Sequence, residues 1–395
     1  MKGLTPYEEH GWHNMDFTLT DSEVMIRDLS RKLARERIAP RAAAIDEHEE
    51  FPHDLVKLLG EQGLMGLLIP LEYGGSGAGP MALFLACEEI ARACASTATV
   101  FGGHYLGMDP ILHAATPEQK RRWLPDLASG AHLAAYALTE PGAGSDVVAM
   151  STTAVRQGDH YVLNGAKQFC TNGDVADLVS VFAVTDRAAK HKGISAFIVE
   201  KGTPGFSVAR VEKKMGIRGS STAALAFEDC RVPAANRLGE EGTGFATAMH
   251  ALNLDRPAVC ALGVGIAQAA FDHALAYAQQ RRQFGQPIAN FQAIQLKLAD
   301  MAIEIHHARL GYYYAAWMLQ MGAPHNERES AMAKVFGSDV AMRVTTEAIQ
   351  IFGGYGYIRD YPVERLMRDA KITQIFAGTN EIQRLTIAKT LLKGR

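Results

Sequence analysis

Apolar residues recur every three or four positions through "SEVMIRDLSRKLARERIAP", and the pattern stops at Pro40. The same period runs through "HDLVKLLGEQGLMGLLIP" as far as Pro70. After the turn-rich "LEYGGSGAGP" it resumes in "MALFLACEEIARACAS" and "TPEQKRRWLPDLAS". This spacing predicts helices, with prolines marking their ends. From about 132 to 240 the period shortens to alternation, in "STTAVRQGDHYVLNGAKQFCTNG", "GISAFIVEKGTPGFSVARVEKK" and "STAALAFEDCRVP". Gly-Asp and Asn-Gly breaks there are hairpin signals, so this region reads as a compact β domain. From about 242 long helical stretches return, in "AVCALGVGIAQAAFDHALAYAQQRRQF", "ANFQAIQLKLADMAIEIHHARLGYYYAAWMLQM" and "ESAMAKVFGSDVAMRVTTEAIQIFGG". Long helices with short joins predict an antiparallel bundle. The expected architecture is therefore α+β and multidomain, with a helical domain (1–131), a β domain (132–241) and a helical bundle (242–395).

Composition changes this picture little. The chain has 395 residues, enough for two or three domains, and a net charge of -3 with both signs well mixed. That balance gives no footprint for nucleic acid or an anionic membrane. No run of about 18 apolar residues predicts a membrane span. The opening "MKGLTPYEEHGWHNMDF" lacks an apolar leader core and is not Arg-rich. The five scattered cysteines fit a reducing, cytoplasmic setting. There is no HExxH and no Cys/His cluster, so no protein-ligated metal is expected.

Four stretches carry candidate chemistry. In "YALTEPGAGSDVVA", Gly142 and Gly144 allow close backbone approach, and Thr139 and Ser145 offer hydroxyls beside N–H groups able to cradle a pyrophosphate. In "RRQFGQPIANFQ", Arg281 is a forked phosphate donor and Phe284 an apolar contact, although the stretch also reads as a plain helix end. In "QIFGGYGYIRDYPVERLMRDAKI", Gly353, Gly354 and Gly356 interrupt a helix, while Arg365, Arg368 and Asp369 read as a solvated face. "GVGIAQA" around Gly263 lacks a preceding strand and a third glycine, and reads as small residues at a helix contact.

Taken together, "PLEYGGSG", "ALTEPGAGSD", "LNGAKQFCTNG", "MGIRGSSTAALAFEDCRVP", "RRQFG", "QIFGGYGY" and "RDAKITQIFAGTNEIQR" resemble the acyl-CoA dehydrogenase family over nearly the whole chain. The resemblance implies a helical, β-barrel and four-helix-bundle subunit, usually a homotetramer, with non-covalent FAD. It implies oxidation of acyl-CoA to 2,3-enoyl-CoA, with electrons passed to electron-transfer flavoprotein. By motif, Tyr136, Leu138, Thr139, Gly144 and Ser145 would touch flavin or substrate. Phe169 would stand against the isoalloxazine, with Thr171 at its polar edge. Arg281, Phe284, Gln292, Gln350, Gly353 and Gly354 would reach a neighbouring subunit's FAD. Thr379 and Glu381 would close over the ribityl and pyrophosphate. Asn253, Arg256, Gly378 and Ser145 would contact substrate.

One departure stands out. Where most members carry the glutamate that removes the acyl α-proton, this chain has Ala377. A minority arrangement places the acid on a bundle helix just before an arginine, and "ALNLDRPAVCA" matches it with Asp255 before Arg256. Asp255 also reads as a helix cap, because Pro257 suits a first helical turn. As a base it would reach about 1.3 Å less far than glutamate, one methylene's worth of chain. In the family the backbone N–H at the Ala377 position and a ribityl hydroxyl bind the thioester oxygen, and alanine keeps that N–H. The space left by the glutamate favours a branched or alicyclic acyl group. Asp109, before Pro110, reads as a turn or cap, or as an acid at the far end of the acyl pocket. A desulfinase-type lyase, a flavin oxidase or monooxygenase, and a non-catalytic acyl-CoA-binding protein are the alternatives on this fold.

Overall fold

The computed structural model describes residues 17–323 and 326–393, so the N-terminal stretch discussed above lies almost wholly outside the described residues. Helices α1 (Asp21–Leu33), α2 (Ala42–His48), α3 (His53–Glu61), α4 (Gly79–Ala93), α5 (Ala95–Ala114) and α6 (Pro117–Ser129) come first. Two of them start on reciprocal caps. Thr20 pairs with Glu23, and Thr116 with Gln119, so that each side chain satisfies the other residue's exposed N–H.

Strands follow: β1 (Ala134–Ala137), β2 (Thr153–Gln157), β3 (His160–Thr171), β4 (Leu178–Val184), β5 (Ile194–Glu200), β6 (Phe206–Val211), β7 (Thr222–Pro233) and β8 (Arg237–Leu238). They form one sheet in the order β6-β7-β3-β2-β4-β5-β8, with β1 running parallel to β4. Every residue of β4 is buried, because one face packs under helices α5 and α7 (Gly244–Gln280) and the other faces the sheet's own apolar interior. That double cover is why β4 reads "LVSVFAV", a continuous apolar run. The long β3–β7 ladder is irregular between Lys167 and Cys170, and this irregularity decides where Phe169 points.

After α7 come α8 (Gln292–Gln320), α9 (Asn326–Phe352), α10 (Val363–Lys371) and α11 (Asn380–Lys393). α7 is the axis of this region, packed against α4, α8 and α9. Close contact needs small residues: a Cβ on Gly265 would lie 2.4 Å from the Glu88 carbonyl, and Gly263 lies against the backbone of Gly337. "GVGIAQA" is thus a helix–helix seam. Among the described residues α7 alone is long and apolar enough to cross a membrane, yet most of that stretch is buried within the protein.

One sequence expectation fails in α10. Arg368 and Asp369 are not a solvated face. Arg368 bridges Asp46 and Glu364, and buried Asp369 accepts the Ile217 N–H. They tie α10 to α2 and to the connection between β6 and β7. The charges looked solvated in sequence because their partners lie in other elements.

Candidate active site

Asp255 sits inside α7, not at its start. The helix begins at Gly244 and carries Pro257 in its interior, so Asp255 caps nothing and the capping reading is excluded. Proline lacks the N–H that would bond the Asn253 carbonyl, so the helix ladder is weakened beside the acid. Asp255 opens on a narrow cavity lined by Cys87 of α4, Gly102, Tyr105 and Leu106 of α5, and Ala251 of α7. The Tyr105 wall is fixed, since its hydroxyl donates to the Leu64 carbonyl at 2.5 Å and accepts the Leu67 N–H at 2.8 Å. The Gly102 side is open, with nothing within 4 Å of a built Cβ. Asp255 is half-buried, its side chain facing the cavity, and its carboxyl makes no hydrogen bond among the described residues. The carboxyl is raised to about 7, chiefly by burial, with Lys334 and Arg256 pulling against the rise and Asp109 adding to it. A carboxylate that is desolvated, unpaired and half-neutral near pH 7 is suited to removing a proton.

The Ala377–Gly378 turn completes this half of the site. Both residues are left-handed, with φ of 54° and 83°. For alanine that conformation costs on the order of 1 kcal/mol, so the surroundings must hold it. Gln383 does so, donating to the Ala377 carbonyl at 2.9 Å, and Lys334 donates to the Gly378 carbonyl at 2.9 Å. The Ala377 N–H has no partner among the described residues and remains available to a ligand. Arg256 is buried beside Asp255, with its Nε unpartnered among the described residues. Asn253 donates to the Asn326 side chain at 2.6 Å, bracing α7 against α9.

Asp109 is likewise neither turn nor cap. It is buried in the interior of α5, and its carboxylate is 3.0 Å from His250 Nδ1. That contact raises the His250 imidazole above its ordinary value, and His113 stacks on His250 at 3.9 Å. Tyr136, on β1, donates its hydroxyl to the Ala248 carbonyl and so ties the sheet to α7 near the same acids.

The other half of the site is open. Beneath the 138–145 loop lies a buried ion pair, Lys167 and Glu140 at 2.8 Å. Lys167 also donates to the Leu138 carbonyl, and the Gln168 N–H to that of Thr139. The Leu138 side chain is buried; Leu138 and Thr139 thus anchor the loop through their backbones. Burial alone would raise the Glu140 carboxyl, but Lys167 and hydrogen bonds from Ser151 and Thr152 hold it down to about 2. Above this anchor, Gly144 and Ser145 are exposed, and a Cβ at Gly142 or Gly144 would meet nothing within 4 Å. The N–H groups of Gly142, Gly144 and Ser145 make no hydrogen bond among the described residues. Phe169, at φ 57° on the β3 irregularity, is 63% exposed. Thr171 packs on α5, where Gly103 leaves it room. Unbonded N–H groups above a rigid anchor, with an exposed flat ring nearby, fit the pyrophosphate and ring system of a flavin dinucleotide.

A third group stands apart. Arg281, over the Tyr355 ring at 5.2 Å, lines a cleft with Tyr277, Ile288, Gly353 and Gly354, and no residue of the sheet lines it. Phe284 is 93% exposed; Gln292 and Gln350 are exposed too. Neither the 138–145 loop nor Phe169 lines that cleft within one chain. Thr379 and exposed Glu381 sit at the start of α11, beside the Ala377 turn.

Lys334, Glu140, Lys167 and His250 were not singled out from sequence. Lys334 was detectable as the lone charge in "SAMAKVFGS", whose other positions suit a buried helix face.

An enclosed acid beside an open loop of unbonded N–H groups, in a helical–sheet–helical chain, fits a flavin-dependent oxidoreductase. The chain belongs to the acyl-CoA dehydrogenase family: models of its N-terminal, middle and C-terminal domains match residues 20–131, 135–230 and 242–392. It is similar to an acyl-CoA dehydrogenase of Bacillus subtilis, 49% identical over 95% of this chain and 99% of that one. It is 48% identical to a cyclohex-1-ene-1-carbonyl-CoA dehydrogenase of Geobacter metallireducens, over 95% and 99%. A solved chain described under an electron transferring flavoprotein of Acidaminococcus fermentans superposes with a TM-score of 0.94, at 46% identity over 96% of this chain and 100% of that one. The protein is thus an FAD-dependent enzyme acting on acyl-CoA.

Proposed function

We propose that this enzyme dehydrogenates a short branched or alicyclic acyl-CoA, with Asp255 as the base that removes the α-proton. The observation that carries the reading is the pairing of an unbonded, desolvated Asp255 carboxyl with a free Ala377 N–H. When bound, FAD supplies the acceptor for the β-hydride. The chain's own contribution is positional and electrostatic. The Ala377 N–H receives the thioester oxygen and stabilises the negative charge that grows there as the α-proton leaves. Asp255 receives the proton, and its high proton affinity makes it a stronger base than an exposed aspartate. Gly144 and Ser145 would hold the pyrophosphate, Phe169 and Thr171 would face the flavin ring, and Thr379 and Glu381 would flank the ribityl region. Arg281, Phe284, Gln292, Gln350, Gly353 and Gly354 would serve a neighbouring subunit's FAD in a homotetramer. That neither the 138–145 loop nor Phe169 lines their cleft within one chain supports that role.

A ring or branch near the α-carbon is supported by Ala377, which leaves its position unfilled, by the open Gly102 side of the cavity, and by the similarity to the ring-acting Geobacter enzyme. The fixed Tyr105 wall favours a short acyl group. Electron-transfer flavoprotein as acceptor is supported by the similarity to the Acidaminococcus chain. The five free, buried cysteines fit the cytoplasm. Anaerobic flavin bleaching by straight, branched and cyclic acyl-CoAs tests the substrate. Fastest bleaching by a branched or cyclic member of about four to seven acyl carbons is expected; preference for a long straight chain would overturn this reading.

A further inference from the structure

Lys334, which meets the Gly378 carbonyl and draws down the Asp255 carboxyl, has no part in the proton transfer described above. It projects from α9 with none of its surface exposed. Its ammonium donates to two neutral acceptors, the Gly378 carbonyl at 2.9 Å and Asn380 Oδ1 at 2.8 Å. No carboxylate is in salt-bridge contact with it among the described residues. A buried ammonium without a contact ion pair is expensive, so burial lowers the Lys334 ammonium to about 7, with Asp255 the main charge holding it up. The charges facing it are Asp255 and Arg256 of α7, Asp339 on α9 itself, and Glu381 of α11. Asp255 is the strongest of these, and Lys334 is in turn the strongest charge acting on Asp255; Arg256 and Asp109 of α5 complete the groups facing that acid. The carboxyl lacks a hydrogen-bond partner and the ammonium lacks an anion in contact, so each is the other's principal compensation.

The second acceptor extends this arrangement. Asn380 donates to Ser338 Oγ at 2.9 Å and to Asp339 Oδ1 at 2.8 Å, which fixes its carbonyl end toward Lys334. One ammonium thereby spans α9, the start of α11 and the left-handed Ala377–Gly378 turn. The turn's free N–H and the acid on α7 are set by the same group.

We propose that Lys334 is a positioning residue for proton abstraction, holding the Ala377–Gly378 turn in place through the Gly378 carbonyl and favouring the ionised form of Asp255 through its charge. This rests on the reading of Asp255 as base. A nearby opposite charge lowers a carboxyl's proton affinity, by about one to three pH units where the separation is about 4–6 Å. Removing Lys334 therefore leaves Asp255 protonated to a higher pH.

The test measures kcat/KM against pH for the FAD-loaded wild type, Lys334→Met, Lys334→Arg and Asp255→Asn, with melting temperature and FAD content recorded for each. The acidic limb of Lys334→Met is expected to move up by about one pH unit or more, with Lys334→Arg restoring the limb because it restores the charge. A uniform fall at all pH values with the limb unmoved overturns the proposal and leaves Lys334 as a structural tie. Should Lys334→Met fail to fold, Lys334→Gln and Lys334→Arg carry the comparison, with the limb displaced in the first and retained in the second. A Lys334→Arg limb displaced as far as that of the neutral variant overturns it too. Retained turnover in Asp255→Asn would instead sink the base assignment, a separate failure from an unmoved limb.

Discussion

Around Asp255, helices α5, α7 and α9 enclose a carboxyl, an ammonium and a strained turn, and burial shifts the protonation of the carboxyl and the ammonium. Around Phe169, by contrast, the β3 irregularity and the glycine loop leave a ring and a row of N–H groups open, resting on one buried pair, Lys167–Glu140. The enclosed half holds its chemistry before any ligand arrives, so changes there alter stability and reactivity together. The open half depends on a ligand to give it partners, so changes there alter binding while leaving the fold nearly untouched. The ion pair below the loop is the exception that joins the two behaviours.

That exception gives the largest expected effect. Lys167→Met leaves Glu140 buried without its cation, and losing one partner of a buried pair costs about 3–5 kcal/mol. A correspondingly lower midpoint in denaturant, with loss of FAD, is expected; an unchanged midpoint would mean the open half does not stand on this pair.

The next effect belongs to the enclosed half. The Asp255 carboxyl is raised from 3.8 to about 7 by burial, so between these values the folded chain binds more protons than the unfolded one. Wild-type stability therefore falls as pH rises through that window, and the loss is complete above about 7. Asp255→Asn removes this dependence and should exceed wild-type stability at pH 8 by on the order of 2 kcal/mol, a gain that shrinks toward pH 4. Equal unfolding midpoints for the two proteins across that range would show that Asp255 is not desolvated.

The smallest effect is at Phe284. Phe284→Ser changes a ring that is almost wholly exposed, so the monomer's stability should move by less than about 0.5 kcal/mol. FAD retention on dilution should nevertheless fall, because the ring is proposed to meet a neighbouring subunit's cofactor. Unaltered retention would remove Phe284 from that role.

The order helices, strands, helices was legible in sequence because each period is a local property. The glycine loop proposed to hold the pyrophosphate stood out for a similar reason, since its glycines and hydroxyls are contiguous. The enclosed half was read less well. Pro257 and Pro110 signalled helix starts or turns at Asp255 and Asp109, yet both prolines lie inside long helices whose packing overrides a missing hydrogen bond. Lys334 and His250 gain their meaning from α7, α5 and the Ala377 turn, partners scattered over more than two hundred residues of chain, which no local pattern records.

The central claim is that Asp255 performs the proton abstraction that Ala377 cannot. The direct measurement is the rate of anaerobic flavin reduction by the best acyl-CoA, in wild type, in Asp255→Asn and in Asp255→Asn with Ala377→Glu, each matched for FAD content. Wild type should gain rate as pH rises toward about 7, where Asp255 ionises. Asp255→Asn should fall by roughly two orders of magnitude or more, the usual contribution of a positioned base. The added glutamate should recover part of that loss with straight-chain acyl-CoAs and less with bulky ones. Full flavin reduction at the wild-type rate by Asp255→Asn would contradict the account and turn attention to Asp109.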